Sequence, residues 1–199
     1  MIVALITSVL MSGSAAEPRV AVHPMAAPKP ALRFTLLPEV RETQPGNSVQ
    51  WYLRCFAEQR SFFFSKPAIE ERARYRGMTL AELAKQNLSN YGGSALTQAD
   101  WAARLENRAW DAFDRSEMAE LAGFRTLGVS LQIRLRYEIA TRDHVAANRT
   151  SKTMLAFARH LGECPIPEAN RLGLEIANLA MDSLFEQAAQ ANSPSDRML

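Results

Sequence analysis

The residues best placed to do chemistry are a histidine and a cysteine, His160 and Cys164. They are four residues apart with Glu163 between them, so on a helix they would share one face. At that spacing they could share a metal ion or form a thiolate–imidazolium pair. A zinc site needs three or four ligands, and the sequence has no further cluster of His or Cys. Pro165 also ends a helix here, so we expect a histidine that interacts favourably with a helix carboxy terminus.

Two further residue pairs have the side-chain types of catalytic sites. Asp143 and His144 are adjacent in a predicted turn, but no serine stands in the context of a nucleophile elbow, so Asp143 is expected to cap a helix. Glu70 and Glu71 could form a catalytic pair of carboxylates. Acidic residues are also favoured at the start of a helix, and we interpret this pair in that way.

A ligand could also bind to a glycine loop or to aromatic side chains. Gly92 and Gly93 lack the flanking strand, the lysine and the further glycine of a phosphate-binding loop, so we interpret them as a loop hinge. A groove for a carbohydrate or a peptide could be lined by four aromatic residues, Trp51, Tyr52, Trp101 and Trp110. At helical spacing such side chains belong more often to a core, which is what we expect here.

Positive charge is concentrated in one part of the chain. Between residues 125 and 159 only Glu138 and Asp143 oppose seven basic residues, Arg125, Arg134, Arg136, Arg142, Arg149, Lys152 and Arg159. Such a cluster could bind an anion or an acidic partner, but more often it forms a solvated helix surface, and we expect the latter. The net charge of the whole chain is +2, which is too small to indicate a nucleic acid as a partner.

These residues are positioned by a series of predicted helices that begins near Ser48. The stretch 44–47, Gln-Pro-Gly-Asn, is predicted to be a turn. Its last residue, Asn47, or else Ser48, can cap a first helix that runs to Arg60. Pro67 suits the first position of a second, short helix.

Capping residues predict the next two helices. Thr79 and Glu82 have the spacing of a capping box, in which each side chain satisfies a backbone N–H of the other residue. Thr97 is expected to cap the helix that follows. The inward positions of that helix would be Trp101, Leu105, Ala109 and Phe113.

The strongest periodicity lies in the carboxy-terminal half. Between residues 117 and 141 the apolar stripe is so broad that this helix must pack against more than one partner. Two more helices follow, one over 145–161 and one after the Cys-Pro-Ile-Pro break, and short connections favour antiparallel neighbours. Gly173 and Ala177 in the last helix predict a close approach of helices.

The first sixteen residues, MIVALITSVLMSGSAA, carry no charged side chain. An apolar run followed by small residues is typical of a secretory signal peptide, here cleaved after Ala16. Because the usual basic residue is missing, an uncleaved membrane anchor and a short buried helix are the alternatives. The Pro- and Ala-rich stretch 17–30 is interpreted as a flexible tether. The protein is therefore predicted to be exported, into the periplasm or out of the cell.

The chain has two cysteines, Cys55 and Cys164. Export would permit a disulfide between them. Each also stands in an apolar setting, where buried free thiols are common. Sequence does not show whether the two residues meet, so both alternatives stay open.

Three stretches of the chain are distinctive: ALRFTLLPEVRETQPGNSVQWYLR, AFARHLGECP and LGLEIANLAMDSLFEQ. Together they resemble a family of exported proteins of planctomycete bacteria, over roughly residues 31–190. The resemblance implies a signal peptide followed by a helical pair, and it implies no activity, cofactor or catalytic residue. It also implies that this chain is a truncated or shortened member.

We therefore expect an all-α protein, a helical bundle of antiparallel helical hairpins after a disordered amino-terminal segment. It is tetratricopeptide-like in architecture only, because the signature residues of that repeat are missing. The predicted parts are a signal peptide (1–16), a flexible tether (17–30), an irregular amino-terminal helical part (31–115), a carboxy-terminal antiparallel bundle (116–191) and a frayed tail (192–199).

The leading hypothesis for function is a non-enzymatic interaction or scaffold protein of the cell envelope, because the sequence contains no catalytic constellation. No cofactor or metal is predicted. The expected partner is a protein, with membrane contact only through an uncleaved signal. The alternative is a hydrolase or other enzyme of the envelope. A pocket in which carboxylates or histidines converge would support this alternative.

Overall fold

The structure, a computed structural model, describes residues 36–110 and 118–190. Within these ranges the chain forms eight helices, one 3-10 turn and two short strands, and it is an all-α protein as predicted. The predicted signal peptide, tether and tail lie outside the described residues. None of the described helices is both long enough and apolar enough to cross a membrane.

The amino-terminal part consists of short elements. In chain order they are a 3-10 turn (Val40–Glu42), strand β1 (Gln44–Asn47), helices α1 (Ser48–Glu58), α2 (Arg60–Phe64), α3 (Lys66–Gly77), α4 (Leu80–Leu83) and α5 (Gly93–Ala102), and strand β2 (Leu105–Asn107).

The predicted caps of α1 and α4 are confirmed. Asn47 Oδ1 accepts a hydrogen bond from the backbone N–H of Val49 at 3.1 Å, at the start of α1. In the capping box of α4, the Thr79 hydroxyl accepts from the N–H of Glu82 at 3.3 Å and the Glu82 carboxylate accepts from the N–H of Thr79 at 2.7 Å. Pro67 lies in the first turn of α3.

The turn predicted at residues 44–47 is wrong. This stretch is β1, which pairs in parallel with β2 so that Gln44 is opposite Leu105. Gly46 has φ +145°, and a Cβ there would lie 3.2 Å from the Leu105 side chain. Pairing with a distant strand has therefore overridden the local turn propensity of Pro and Gly.

The helix start predicted at Thr97 is also wrong. Helix α5 begins at Gly93, and the Thr97 hydroxyl instead donates to the Gly93 carbonyl at 3.2 Å from inside the helix. The helix ends at Ala102. Two predicted inward positions, Leu105 and Ala109, therefore lie beyond it, and Phe113 lies outside the described residues.

Three long helices form the carboxy-terminal bundle: α6 (Met118–Ala140), α7 (His144–Gly162) and α8 (Pro167–Ala188). Ion pairs Arg125–Glu175 and Arg136–Glu186 join α6 to α8 in the same direction, so these two helices run parallel. The last turn of α8 meets the first turn of α7 through Gln187 and His144, so α7 is antiparallel to both, as the short connections predict.

The broad apolar face of α6 packs on two sides, as predicted. On one side, fully buried residues such as Phe124 and Leu131 belong to the main core with α1, α5, α7 and α8. On the other side, Ile133 belongs to a second cluster with Tyr75 of α3 and Leu83 of α4. Helix α6 is therefore the element around which both parts of the chain assemble.

Candidate functional site

The structure places His160 in the core. Its Nδ1 is 3.0 Å from the Tyr52 hydroxyl, and its carbonyl accepts a hydrogen bond from Trp110 Nε1 at 3.1 Å. Burial, with the nearby charges of Arg108 and Arg159, lowers the pKa of His160 to about 3. The side chain is therefore neutral at neutral pH. Its role is a hydrogen bond between α1 and α7, not the interaction with the helix dipole that the sequence predicts.

Neither cysteine supplies a thiolate. Cys55 and Cys164 are both buried free thiols, so the disulfide alternative is wrong. Burial raises the pKa of the Cys55 thiol to about 12 and also raises the pKa of Cys164. Among the described residues there is no group of three His, Cys, Asp or Glu side chains that could hold a metal ion.

Acidification is expected to destabilise the fold through His160. The unfolded chain protonates this side chain near pH 6.5, whereas the folded chain does so only near pH 3. The stabilisation by neutral His160 is therefore complete above pH 6.5 and is lost progressively as the pH falls towards 3. Between about pH 7.5 and pH 4.5 we expect a loss of about 3 kcal/mol in the free energy of unfolding.

This prediction is checked by urea denaturation of the wild type and of His160→Gln at a series of pH values. Carboxylates titrate in both proteins, so the difference between the two curves isolates the histidine. Parallel curves for the two proteins would contradict the prediction.

The other candidate pairs have structural roles. Asp143 Oδ1 accepts from the N–H of Ala146 at 3.0 Å, which confirms it as the cap of α7. His144 Nδ1 contacts the Gln187 side chain at 3.2 Å and not the Asp143 carboxylate. Glu71 accepts a hydrogen bond from the Tyr75 hydroxyl at 2.8 Å. The predicted position of Glu70 and Glu71 at a helix start is wrong, because α3 begins at Lys66 and its first turn has no acidic residue.

The loop that the sequence predicts at Gly92 and Gly93 is present only at Gly92, because Gly93 already belongs to α5. Gly92 has φ +75° and directly precedes α5, which begins at Gly93. A Cβ at position 92 would lie 2.5 Å from Leu96 Cγ, so the turn also brings the chain close to its own helix.

A polar cavity of about 410 Å³ is the best candidate for a small-molecule site. It lies where α5, α6 and the start of α7 meet the loop before α5. Side chains that could contact a ligand there are those of Tyr91, Thr97, Arg134, Tyr137, Glu138 and Asp143.

Charged groups at the floor of this cavity are joined by ion pairs and a hydrogen bond. Arg134 Nε is 2.9 Å from Glu138 Oε1, and Arg134 Nη1 is 3.2 Å from Asp100 Oδ2. The other oxygen of Asp100 accepts from the Thr153 hydroxyl at 2.9 Å. The cluster therefore links α5, α6 and α7.

Glu138 is the member of this cluster with the chemistry of an acid–base group. Burial raises its pKa, and the charge of Arg134 only partly offsets that effect. The nearby Thr150 hydroxyl lowers the pKa of Glu138 somewhat. Among the described residues, however, neither this hydroxyl nor Glu138 Oε2 forms a hydrogen bond of ordinary geometry. A carboxyl group with a raised pKa beside a cavity can donate or accept a proton there.

Arg134 and Glu138 are not predicted as site residues from the sequence, because an Arg and a Glu four residues apart on a helix are usually a surface ion pair. The available signal was their position among buried apolar residues such as Ile133 and Leu135.

The expected solvated basic surface is only partly present. Six of its seven basic residues form ion pairs with carboxylates of the chain. Arg136 is almost fully buried, where it also donates to the carbonyls of Arg76 and Met78. For Arg134, Arg136 and Lys152 the prediction of a solvated surface is therefore wrong, because carboxylates from other elements of the chain pair with these mostly covered side chains.

The four aromatic residues divide into two pairs. Tyr52 and Trp110 are buried in the core, as predicted. Trp51 and Trp101 instead stack at the surface where α1 meets α5, with ring centroids 6.4 Å apart and planes 21° from parallel. Trp101 is 49% exposed, and the Arg54 guanidinium lies 5.1 Å from the Trp51 ring centroid. The core prediction is therefore wrong for Trp101.

Fold and sites together define an all-α helical protein with an open polar cavity and a surface tryptophan pair. No family model, curated protein or solved structure matches this chain.

Proposed function

We propose that this chain is an exported, non-enzymatic interaction module of the cell envelope, which binds a protein partner through the Trp51–Trp101 pair. The observation that carries this proposal is the exposed, stacked pair itself. Tryptophan and arginine are the residue types most enriched at the energetic centres of protein interfaces. Arg54, over Trp51, completes such a set.

Hydrogen bonds beside the tryptophan pair hold the backbone segments that carry it together. Gln98 Nε2 donates to Glu58 Oε2 at 2.5 Å, and Gln59 Nε2 donates to Ser94 Oγ at 2.9 Å. Both join the segment around α1 to α5, the helix that carries Trp101. Helices that are fixed relative to each other before binding lose little entropy when a partner docks.

The proposal that the protein is exported rests on its first sixteen residues and on the resemblance to exported planctomycete proteins. Fractionation of the native host with intact-mass measurement tests it. A soluble envelope species that begins at Glu17 is expected. A species in the cytoplasm that retains Met1 would contradict export.

Removal of the exposed indole is expected to weaken partner binding. For Trp101→Ala we expect at least about a tenfold loss of affinity, since truncated hot-spot residues cost more than about 1.4 kcal/mol. Binding is measured by quantitative cross-linking in an envelope extract, followed by titration of the captured protein. Ile69→Ala, at an exposed apolar residue of α3, is the matched control.

Circular dichroism must show that both variants keep the helical content of the wild type. If Trp101→Ala and Ile69→Ala bind the captured protein as tightly as the wild type, the tryptophan pair is not the docking surface.

A second candidate function is an enzyme with its site in the polar cavity. The observation that favours it is the raised pKa of Glu138 beside Arg134, because that carboxyl could act as a general acid or base while the guanidinium orients a polar substrate. Two carboxylates, Glu138 and Asp143, line this cavity. A panel of hydrolase substrates assayed with wild type and Glu138→Gln tests it: an activity that the wild type shows and the folded variant lacks would support the enzyme.

A further inference from the structure

The outer face of α8 carries large apolar side chains. Leu174 is 69% exposed and Phe185 is 66% exposed. Met181 is half-buried between them. The opposite face of the helix, with Ile176 and Ala180, is buried against α6 and α7. One surface of α8 packs against α6 and another packs against α7. The outer face is a third surface of the helix.

Along this outer face the spacing is that of a coiled-coil seam. Leu174, Asn178, Met181 and Phe185 follow one another at intervals of four, three and four residues. This alternation places Leu174 and Met181 at one core position of a heptad and Asn178 and Phe185 at the other. A seam of this kind fits another helix, because side chains at both positions insert between those of the partner.

Asn178 indicates which helix the seam fits. A single asparagine among apolar seam positions makes a helix pair less stable when it faces an apolar side chain. When it faces a second asparagine in the same layer, the two amides pair and fix the register and the oligomeric state. The amide of one Asn178 can donate to the amide oxygen of the other. The seam is therefore complementary to itself.

The flanking charges set the direction of the two helices. Glu175 and Asp182 lie on one side of the seam, and the positions on the other side are Ala177 and Leu184. Glu175 also pairs with Arg125 and Arg171, which leaves Asp182 as the stronger source of repulsion. In an antiparallel pair the acidic side of one helix faces the acidic side of the other, and like charges repel. In a parallel pair the acidic side faces the apolar side, and Asn178 meets Asn178.

We propose that two copies of this chain associate through parallel α8 helices, with Leu174, Asn178, Met181 and Phe185 of each copy in the interface. The two-fold axis runs along the seam, so each residue meets its own copy. This dimer presents two Trp51–Trp101 pairs, and its existence does not depend on the function of that surface.

Sedimentation equilibrium of the full chain tests the association. The wild type is expected to be dimeric at concentrations of ~100 µM, and Leu174→Glu/Phe185→Glu to raise the dissociation constant at least ~100-fold. Ile69→Glu places a charge on another exposed apolar residue and is the control that keeps the dimer. A monomeric wild type, or a dimer that the double variant leaves intact, overturns the proposal.

Disulfide cross-linking tests the direction. The native thiols of Cys55 and Cys164 are buried, so the wild type is expected to form no cross-link under mild oxidation. Leu174→Cys is expected to cross-link to its own copy, because parallel helices bring the two positions together. In an antiparallel pair Leu174 of one copy would lie opposite Phe185 of the other. The two copies of position 174 would then be about 16 Å apart, at 1.5 Å per residue. A mixture of Leu174→Cys with Phe185→Cys that yields mainly the mixed dimer overturns the parallel arrangement.

Discussion

Replacement of Gly173 by valine is expected to lower the free energy of unfolding by about 3–4 kcal/mol, the cost of severe overpacking. A Cβ at this position would lie 2.6 Å from the carbonyl oxygen of Ala158 and 3.3 Å from the backbone nitrogen of Gly162. Backbone atoms cannot rotate away as a side chain can, so α7 and α8 must separate. The sequence prediction that Gly173 permits a close approach of helices is thereby confirmed.

Gly162→Ala is the matched control in the same helical hairpin, because a Cβ there would have no neighbour within 4 Å. We expect this change to be neutral or to stabilise by up to about 1 kcal/mol, since alanine favours a helix over glycine. Urea denaturation followed by circular dichroism measures both. Equal stability of Gly173→Val and the wild type would contradict the close contact.

Removal of the Asp100 carboxylate is expected to destabilise the protein by about 3–5 kcal/mol. Asp100 is 4% exposed and contacts Arg134 at 3.2 Å, Thr153 at 2.9 Å and, more distantly, Arg149 at 3.8 Å. Its loss in Asp100→Ala leaves the Arg134 guanidinium with only the Glu138 carboxylate in a largely buried site. Removing one partner of a buried ion pair costs far more than the intact pair contributes.

Glu175→Ala is the control, because its partner Arg125 is mostly exposed and the pair is screened by solvent. This change is expected to cost less than about 1 kcal/mol. Thermal and urea denaturation compare the two variants. If Asp100→Ala costs no more than Glu175→Ala, the cluster at the cavity floor does not hold α5, α6 and α7 together.

The long helices could be predicted because their signals are local. The stripe of α6 and the connections around residues 142–143 and 164–167 depend on residues that are at most a few positions apart. The capping residues Asn47, Thr79 and Asp143 are confirmed for the same reason, since a cap contacts a backbone group two or three residues away.

The candidate sites could be predicted only in part. The spacing of His160 to Cys164 is visible in the sequence, but its pKa is lowered by burial and by the charges of Arg108 and Arg159. Its hydrogen-bond partner, the Tyr52 hydroxyl, is 108 residues away in the chain. Burial raises the pKa of Glu138, a residue whose sequence context does not mark it as a site residue. Its burial depends on α5, α6 and α7 meeting, which no local pattern encodes.

The sequence by itself determined the helical class, the three long helices and most helix starts of this protein, because interactions within one or two helical turns decide them. Only the tertiary structure decided that residues 44–47 pair with β2, that Arg134 is half-buried beside Asp100 and that Trp101 is exposed. Each of these outcomes depends on which distant segment covers a residue. Burial, and with it pKa and accessibility, is therefore a property of the assembled fold.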